Sequence, residues 1–416
     1  MKLKNIKKIN VDFLLLWQGQ FVSLFGDTLF SIAIGLWILD KTNSTIMMSS
    51  VLSVTLIFKI ITSFFSGTLV DNLNRKKLII LVDIIRGIVV ILLFIAIYYD
   101  ISKLWMVYIV SILIEICSAF FNPAIQSSIP DIVDNKDVSK ANANMNLARF
   151  IGDILGNTVA STIFSLISFP VLILVNGISY IYSALSTIFI KIPHKDKNHD
   201  FITLKNKLKE GYVYIWSYVG LRNFLCVCSI MNLFLSISNV LFLPLFKYNN
   251  ELGVSKYGIC MAFFTGGIVI GTILISLNKV NYKNRKDGFV LNGLLFTITM
   301  SIFPILNNYK MIAILFIIAG IFNSIMQNII ISSIQINIEP DMRGRVFSAY
   351  SMLLNILKPI GYTIGGFLGE LISIRVIITS SFIITFIIIA IFNRNKEFKR
   401  FMSLKLIEGN EESLCP

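Results

Sequence analysis

The sequence predicts an all-α membrane protein: twelve transmembrane helices in two six-helix bundles, with both termini on the cytoplasmic side. Three observations predict it. Of the 416 residues, 55% are hydrophobic and only 14% charged, where soluble domains run near ~25% charged. The mean hydropathy is +0.77. The apolar residues fall into twelve long runs. Spans of about 20 apolar residues cross a bilayer as helices, because backbone groups in lipid must satisfy one another. The cations between the runs lie mostly in alternate links.

The first run, 13–39, follows Lys2, Lys4, Lys7 and Lys8 and carries Gln18, Gln20 and Asp27. It is too long for a signal-peptide core and lacks a small-residue cleavage site, so it reads as a retained anchor. The second run, 45–69, has Lys59 near its middle. A short polar link, Gly67 to Lys77, leads to the third run, 78–98, with Asp83 and Arg86 near its start. The fourth, 104–122, centres on Glu115 and ends at Asn122, with Gln126 just beyond. The fifth, 148–167, opens on Arg149 and Asp153, spaced i,i+4 to pair with each other, and the sixth is 171–190.

A long polar stretch follows. Within it, residues 203–218 place Leu204, Leu208, Tyr212 and Ile215 at helical spacing, with lysines on the other face. The segment reads as an amphipathic helix on the inner leaflet or as a plain tether. The second set of runs is 223–246, with Asn232 and Asn239; 257–277; 289–306; 311–333, with Asn323, Gln327 and Asn328; 346–371, with Lys358; and 376–392. Pro359 allows a kink in the eleventh run. The expected organisation is a first bundle over 1–190, a cytoplasmic linker over 191–222, a second bundle over 223–393 and a cytoplasmic tail over 394–416.

Of the 37 Lys and Arg residues, 26 lie in the links on the N-terminal side and 6 on the other. This bias places both ends in the cytoplasm and accounts for the net charge of +14. No basic stripe with interleaved aromatics points to nucleic acid. The expected partners are the lipid bilayer, a small-molecule substrate and protons, with a monomeric chain in the cell membrane. Five cysteines without redox or zinc spacing read as apolar fillers, and His194 and His199 as solvated loop residues.

The halves repeat weakly, as in transporters built from duplicated units. Ser127-Ser128-Ile129 and Pro130-Asp131 have counterparts in Ser332-Ser333-Ile334 and Pro340-Asp341. Gly152 and Gly156 match Gly361 and Gly365, small residues four apart that let helices approach closely.

The Gly67–Lys77 link resembles the loop between helices 2 and 3 of the major facilitator superfamily, Gly-x-x-x-Asp-x-x-Gly-Arg-[Arg/Lys]-[Arg/Lys]. Gly67, Asp71, Arg75, Lys76 and Lys77 fall on that pattern; Asn74 stands where the family has Gly, and Asn tolerates the positive φ of such a turn. Asn122-Pro123-Ala124, Ala141-Asn142, Arg343-Gly344-Arg345-Val346, Trp17-x-Gly19-Gln20 and Gly26-Asp27 resemble the branch that holds macrolide-efflux proteins and the enterobactin exporter. The resemblance implies the major facilitator fold and export of bulky hydrophobic or amphipathic compounds by proton antiport. It makes the Asp71–Arg75 loop a gate; Asp83 and Arg86, near the inner end of the third run and next to that loop, read from their position as its support. Cations that merely fix topology are the alternative. The Gly-Pro pair of drug antiporters is missing from the fifth run, which reads Gly152-Asp153-Ile154-Leu155-Gly156-Asn157.

No Gly-x4-Gly-Lys-[Ser/Thr] loop or metal-binding motif occurs, so the expectation is a non-enzymatic transporter without cofactor, driven by a proton gradient. A charge in hydrocarbon costs on the order of 3 kcal/mol. Asp27 and Glu115 are the proton-coupling candidates, since burial favours a neutral carboxyl that can take up and release a proton. A structural pair of Asp27 with Lys59 is the bland reading. Gln18, Gln20, Asn122, Gln126, Asn232, Asn239, Asn323 and Gln327 fall on runs 1, 4, 7 and 10, which line the cavity in the superfamily. Lys358 is a candidate for an anionic group or a cross-half pair. An importer or facilitator of a polar solute, and a non-transporting receptor or assembly protein, remain as alternatives.

Overall fold

The computed structural model describes residues 10–163, 170–192, 210–277 and 285–403. Within them the chain is helical throughout. The first half holds α1 (Val11–Thr42), α2 (Thr45–Asn72), α3 (Arg75–Tyr98), α4 (Leu104–Ile132), α5 (Val138–Ile163) and α6 (Pro170–Ile188). The helix α7 is described over 210–217. The second half holds α8 (Val219–Tyr248), α9 (Gly253–Ser276), α10 (Arg285–Ile302), α11 (Tyr309–Asn337), α12 (Pro340–Ile356), α13 (Lys358–Leu371), α14 (Ile374–Phe392) and α15 (Lys396–Ser403).

Among the described residues, ten helices are long and apolar enough to cross a membrane: α1 to α4, α6, α8 to α11 and α14. The described parts of the other two expected runs are helical but differ from the expectation. Run 148–167 begins inside α5, whose first turns are polar. Run 346–371 is not one helix: it breaks at Leu357, ahead of Lys358-Pro359, into α12 and α13. A proline ring has no N–H to donate and crowds the preceding turn, so the helix stops and restarts.

Asn74 also departs from expectation. It does not take positive φ; at φ −67° and ψ 104° it is the N-cap of α3, its side chain accepting from the Lys77 N–H. A short polar side chain suits that role as well as glycine suits a turn.

The two halves share one construction. In the first, Gly152 and Gly156 let α5 press on α1, where a Cβ on Gly156 would stand 2.7 Å from Thr28 Cβ. In the second, Gly361 and Gly365 let α13 press on α8, where added Cβ atoms would stand 2.6 Å from Leu233 O and 2.7 Å from Ile237 O. The glycine pairs noticed in the sequence therefore make the same contact in each half.

The cores show how the halves meet. One apolar cluster contains residues of both, including Leu36 and Trp37 from α1 with Leu241 and Phe246 from α8. The other two are confined, one to the first half around Phe121 and Ile129, the other to the second around Phe224 and Phe289. The halves are joined at the end holding the C-termini of α1 and α8, and each keeps its own core at the other end. Val11 and Ser403 lie at that separated end: α15 packs on the start of α8, with Phe398 stacked and Phe401 tilted against Phe224.

The linker segment 203–209 lies outside the described residues. Its continuation α7 docks on the second half: Ile215 is fully buried there, and Glu210 pairs with Arg345 of α12.

Candidate functional site

The joined end is a seam of small polar side chains. On α2, Thr45, Ser49 and Ser53 follow at i, i+4 and i+8, one face of a helix. They face α13. Thr45 donates to Gly366 O at 2.8 Å, and Ser53 donates to Pro359 O at 2.7 Å and lies 2.9 Å from Thr363 Oγ1. Gly366 sits against Ser49, where a Cβ would come within 1.7 Å of the Ser49 hydroxyl. Glu370 accepts from the Ser44 hydroxyl and, at 3.1 Å, from the Ile46 N–H, capping the first turn of α2 from the opposite half. Lys247 of α8 pairs with Asp40 of α1 at 2.5 Å. A second contact joins α5 to α9, where Gly258 lies against Asn157 and Ser161.

Inside this seam is a cavity of about 510 Å³. Most of its wall comes from the first half; the second contributes Asn239, Val240 and Leu243 of α8, Tyr257 of α9 and Tyr362 of α13. Apolar and aromatic side chains alternate with hydroxyls and amides, a composition common among small-molecule sites.

The charges in it are arranged locally. Gly26 lets α6 close on α1, since a Cβ there would meet Ser179 Oγ at 2.3 Å. The approach brings Tyr180 of α6 to Asp27, and the Tyr180 hydroxyl donates to the Asp27 carboxylate. Beneath it, Arg86 donates to Asp83 at 2.8 Å, one turn earlier on α3. The guanidinium is held between the rings of Phe121 at 4.0 Å and Tyr180 at 4.7 Å. Such stacking suits a planar cation removed from water. Arg86 is 2% exposed and Asp83 fully buried, yet Arg86 Nε and Asp83 Oδ2 have no hydrogen-bond partner. Across the cavity, Lys59 of α2 meets Glu115 of α4 at 2.8 Å.

Of the residues chosen from sequence, the cavity wall gathers Gln20, Asp27, Glu115, Asn122 and Asn239. It does not include Gln18, Gln126, Asn232, Asn323, Gln327 or Lys358. Asn232 instead donates to Cys228 O within its own helix, and no residue of α11 lines the cavity. Lys59 pairs with Glu115 rather than with Asp27. Arg149 lines the cavity and forms no ion pair with Asp153, which accepts from Thr28 at 3.3 Å. Tyr180, Tyr257, Tyr362 and the cavity-facing role of Arg86 were not anticipated; only the helix packing exposes them.

The link between α2 and α3 stands apart from the cavity. The surroundings of Gly67 and the side chain of Asp71 lie outside what is described. Arg75 donates to Asp131 Oδ2 at 2.6 Å and to Ser127 O at 3.0 Å, both on α4. Lys76 donates to Ile188 O at the end of α6, and Lys77 is exposed. Asp83 and Arg86 lie two turns further along α3. Arg86 pairs with Asp83 and lines the cavity.

The sequence matches the family model described as Major Facilitator Superfamily over residues 16–361 and 280–401. Macrolide efflux protein A of Streptococcus pyogenes is 24% identical over 373 residues, 88% of this chain and 91% of that protein. A candidate bacilysin exporter of Bacillus subtilis (strain 168) is 25% identical over 365 residues, 86% of this chain and 88% of its own length. In fold, the chain resembles the nucleoside transporter NupG at a TM-score of 0.72 and 16% identity, covering 95% of this chain and 100% of that one. It also resembles a bacterial homolog of the human lysosomal transporter Spinster in an inward-facing, unoccupied conformation, at a TM-score of 0.69 and 12% identity, covering 95% and 98%.

Proposed function

The chain belongs to the Major Facilitator Superfamily, and on that premise we propose that it is a proton-coupled efflux transporter of a hydrophobic or amphipathic compound. It works by alternating access as a monomer of twelve membrane-crossing helices in the cell membrane. Both termini are cytoplasmic in this reading, supported by 26 cations on the terminal side against 6 on the other. The seam then lies at the outer face, and the conformation is inward-open. The observation that carries the reading is the cavity of about 510 Å³ closed at one end by contacts between halves and lined by Asp27 and Glu115.

The two carboxylates divide the work. Glu115 is neutralised by Lys59, whereas Asp27 has a neutral hydrogen-bond donor, Tyr180, as its direct partner. Asp27 is therefore the better proton carrier: taking up a proton there separates no ion pair. Relatives named for efflux support the outward direction. At the separated end, Arg75, bonded to α4, gates the cytoplasmic mouth together with Asp71.

Reconstitution in proteoliposomes with a pH gradient tests this, using a panel of amphipathic compounds that includes a macrolide. At least one compound should move with proton counterflow, and Asp27→Asn should leave binding measurable while abolishing the response to the gradient. Substrate movement indifferent to the pH gradient would defeat antiport. Movement of no compound would favour a receptor.

A further inference from the structure

Arg86 is a buried cation with bonding capacity to spare. A guanidinium carries five N–H donors, and one described hydrogen bond draws on them, to Asp83 at 2.8 Å. Arg86 Nε is buried without a partner, and so is Asp83 Oδ2. Such a guanidinium gains from a second carboxylate, because a charge-assisted bond is strong and a buried donor left unpaired is costly. Asp27 is a carboxylate one side chain away: it and Arg86 line the same cavity and touch the same residue, Tyr180. Among the described residues, however, the ion pair of Arg86 is with Asp83, and none joins it to Asp27.

Tyr180 meets the two with different parts. Its hydroxyl donates to the Asp27 carboxylate, and its ring covers the guanidinium, with 4.7 Å between the centroid and Arg86 Cζ. Close helix contacts fix the ring. Gly26 lets α6 close on α1, and Gly87, next to Arg86, lets it close on α3: a Cβ there would stand 2.5 Å from Ile181 Cδ1 and 3.2 Å from Gly177 O. Phe121 of α4 also covers the guanidinium, at 4.0 Å. Tyr180 is fully buried, so its side chain has no room to swing off either contact.

We infer that Tyr180 is a positioning residue for the proton carrier: its ring keeps Arg86 off Asp27, and its hydroxyl holds the carboxylate in place of the guanidinium. The inference rests on the reading of Asp27 as proton carrier and explains how that carboxyl stays available. A carboxylate paired with a guanidinium remains ionised and takes up a proton only by giving up the pair. One bonded to a neutral hydroxyl separates no ion pair.

The other charges on helices beside α1 have places of their own. Lys59 of α2 and Glu115 of α4 hold each other at 2.8 Å. Lys247 of α8 is bound to Asp40 at the seam. On α5, Asp153 accepts from Thr28. Arg149 of α5 lines the cavity, but Gly152 lies against Leu24 and Phe25, and Gly156 against Thr28. Arg149 is therefore level with α1 about five residues before Asp27, roughly 8 Å away along the axis at the rise of an α-helix. Arg86 is thus the cation placed to compete for Asp27.

Infrared titration of the detergent-purified full chain tests the inference without substrate or gradient. The carbonyl band of protonated Asp27 is identified by its loss in Asp27→Asn, and in the parent it should appear as the pH falls. In Tyr180→Phe, which keeps the ring, the band should still appear, at higher frequency because the phenol donor is gone. In Tyr180→Leu, which removes the ring, Arg86 should take the carboxylate, and the band should be lost at every pH at which the chain stays folded. Adding Asp83→Asn and Arg86→Gln, which removes the buried pair as a unit, should restore it. A purely structural role for Tyr180 would produce none of these differences. The inference is overturned by a Tyr180→Leu titration that overlays the parent, by an unshifted band in Tyr180→Phe, by no Asp27 band in the parent, or by no recovery in the triple variant. If the leucine variants fail to fold, the band of Tyr180→Phe decides alone. Transport indifferent to a pH gradient would defeat antiport and leave these bands as they are, so the two readings fail separately.

Discussion

Replacing Gly366 by alanine should unlock the seam between α2 and α13. The added Cβ would stand 1.7 Å from Ser49 Oγ, 2.6 Å from Ser49 Cβ and 2.9 Å from Thr45 O. A serine rotamer change relieves the first contact but not the other two, so the helices must part. Overpacking of this kind costs about 1–3 kcal/mol. The separation also stretches the Thr45 bond to Gly366 O, worth about 1 kcal/mol. The penalty of roughly 2–4 kcal/mol falls only on the conformation in which the seam is shut, so the population open at this end should rise roughly 30- to 700-fold. A cysteine in place of Ser118, which lines the cavity, reports the change in a chain whose native cysteines are serines. Its labelling by a membrane-impermeant thiol reagent applied from the seam side should accelerate in proportion. Gly266→Ala is the control, because a Cβ there meets nothing within 4 Å. Equal labelling of the Gly366→Ala and parent proteins would refute the assignment of this contact as the closed gate.

Two further outcomes follow from contacts outside the cavity. Phe224 is fully buried among Phe289, Phe398 and Phe401, each ring centroid 5.6 Å away. Phe224→Ala should cost about 3–5 kcal/mol, read as lower thermal stability in detergent, and should expose α15 to proteolysis near Arg394. In the link between α3 and α4, the Lys41 ammonium donates to Asp100 at 2.8 Å and holds that carboxyl below the ordinary carboxylate range. A lowered folded value means the pair contributes above the unfolded value near ~3.9 and is lost as pH falls through the lowered one. The small difference in melting temperature between Asp100→Asn and the parent should therefore be present at neutral pH and vanish in acid. Asn suits the φ of 53° found there.

The sequence reveals most where a residue acts through its own helix. The apolar runs, the break before Pro359 and the glycine pairs of α5 and α13 are local signals, and each has a structural counterpart. What it does not reveal is which helices adjoin. Lys59 is a plausible partner for Asp27 when spans are taken as neighbours in chain order, but α2 packs on α4 and α1 packs on α6. Lys59 accordingly finds Glu115, and Asp27 finds Tyr180. Nothing in the apolar run 171–190 marks Tyr180, because its function comes from Gly26 on another helix. The polar residues of α11 fail for a related reason: a helix can lie beside a cavity and turn its amides toward its own backbone, as Asn328 does in donating to Ser324 O.

The contacts that persist and those that must break differ in chemistry. Within each half, the glycine pairs bring backbones together over more than a turn, and Cβ atoms at Gly361 and Gly365 would collide with backbone carbonyls. Such packing is lost only if the half comes apart. Between halves, the seam combines the shared apolar cluster around Trp37 and Phe246 and the close approach of Gly258 to Asn157 with polar contacts, hydroxyl-to-carbonyl bonds and carboxylate pairs, each worth about 0.5–1.5 kcal/mol net. Several together hold a conformation; none alone prevents its exchange. The described pairs of Arg75 with Asp131 of α4 and of Arg345 with Glu210 of α7 join neighbours on one side of the divide. Each half is thus packed to move as one unit in the alternating access proposed above.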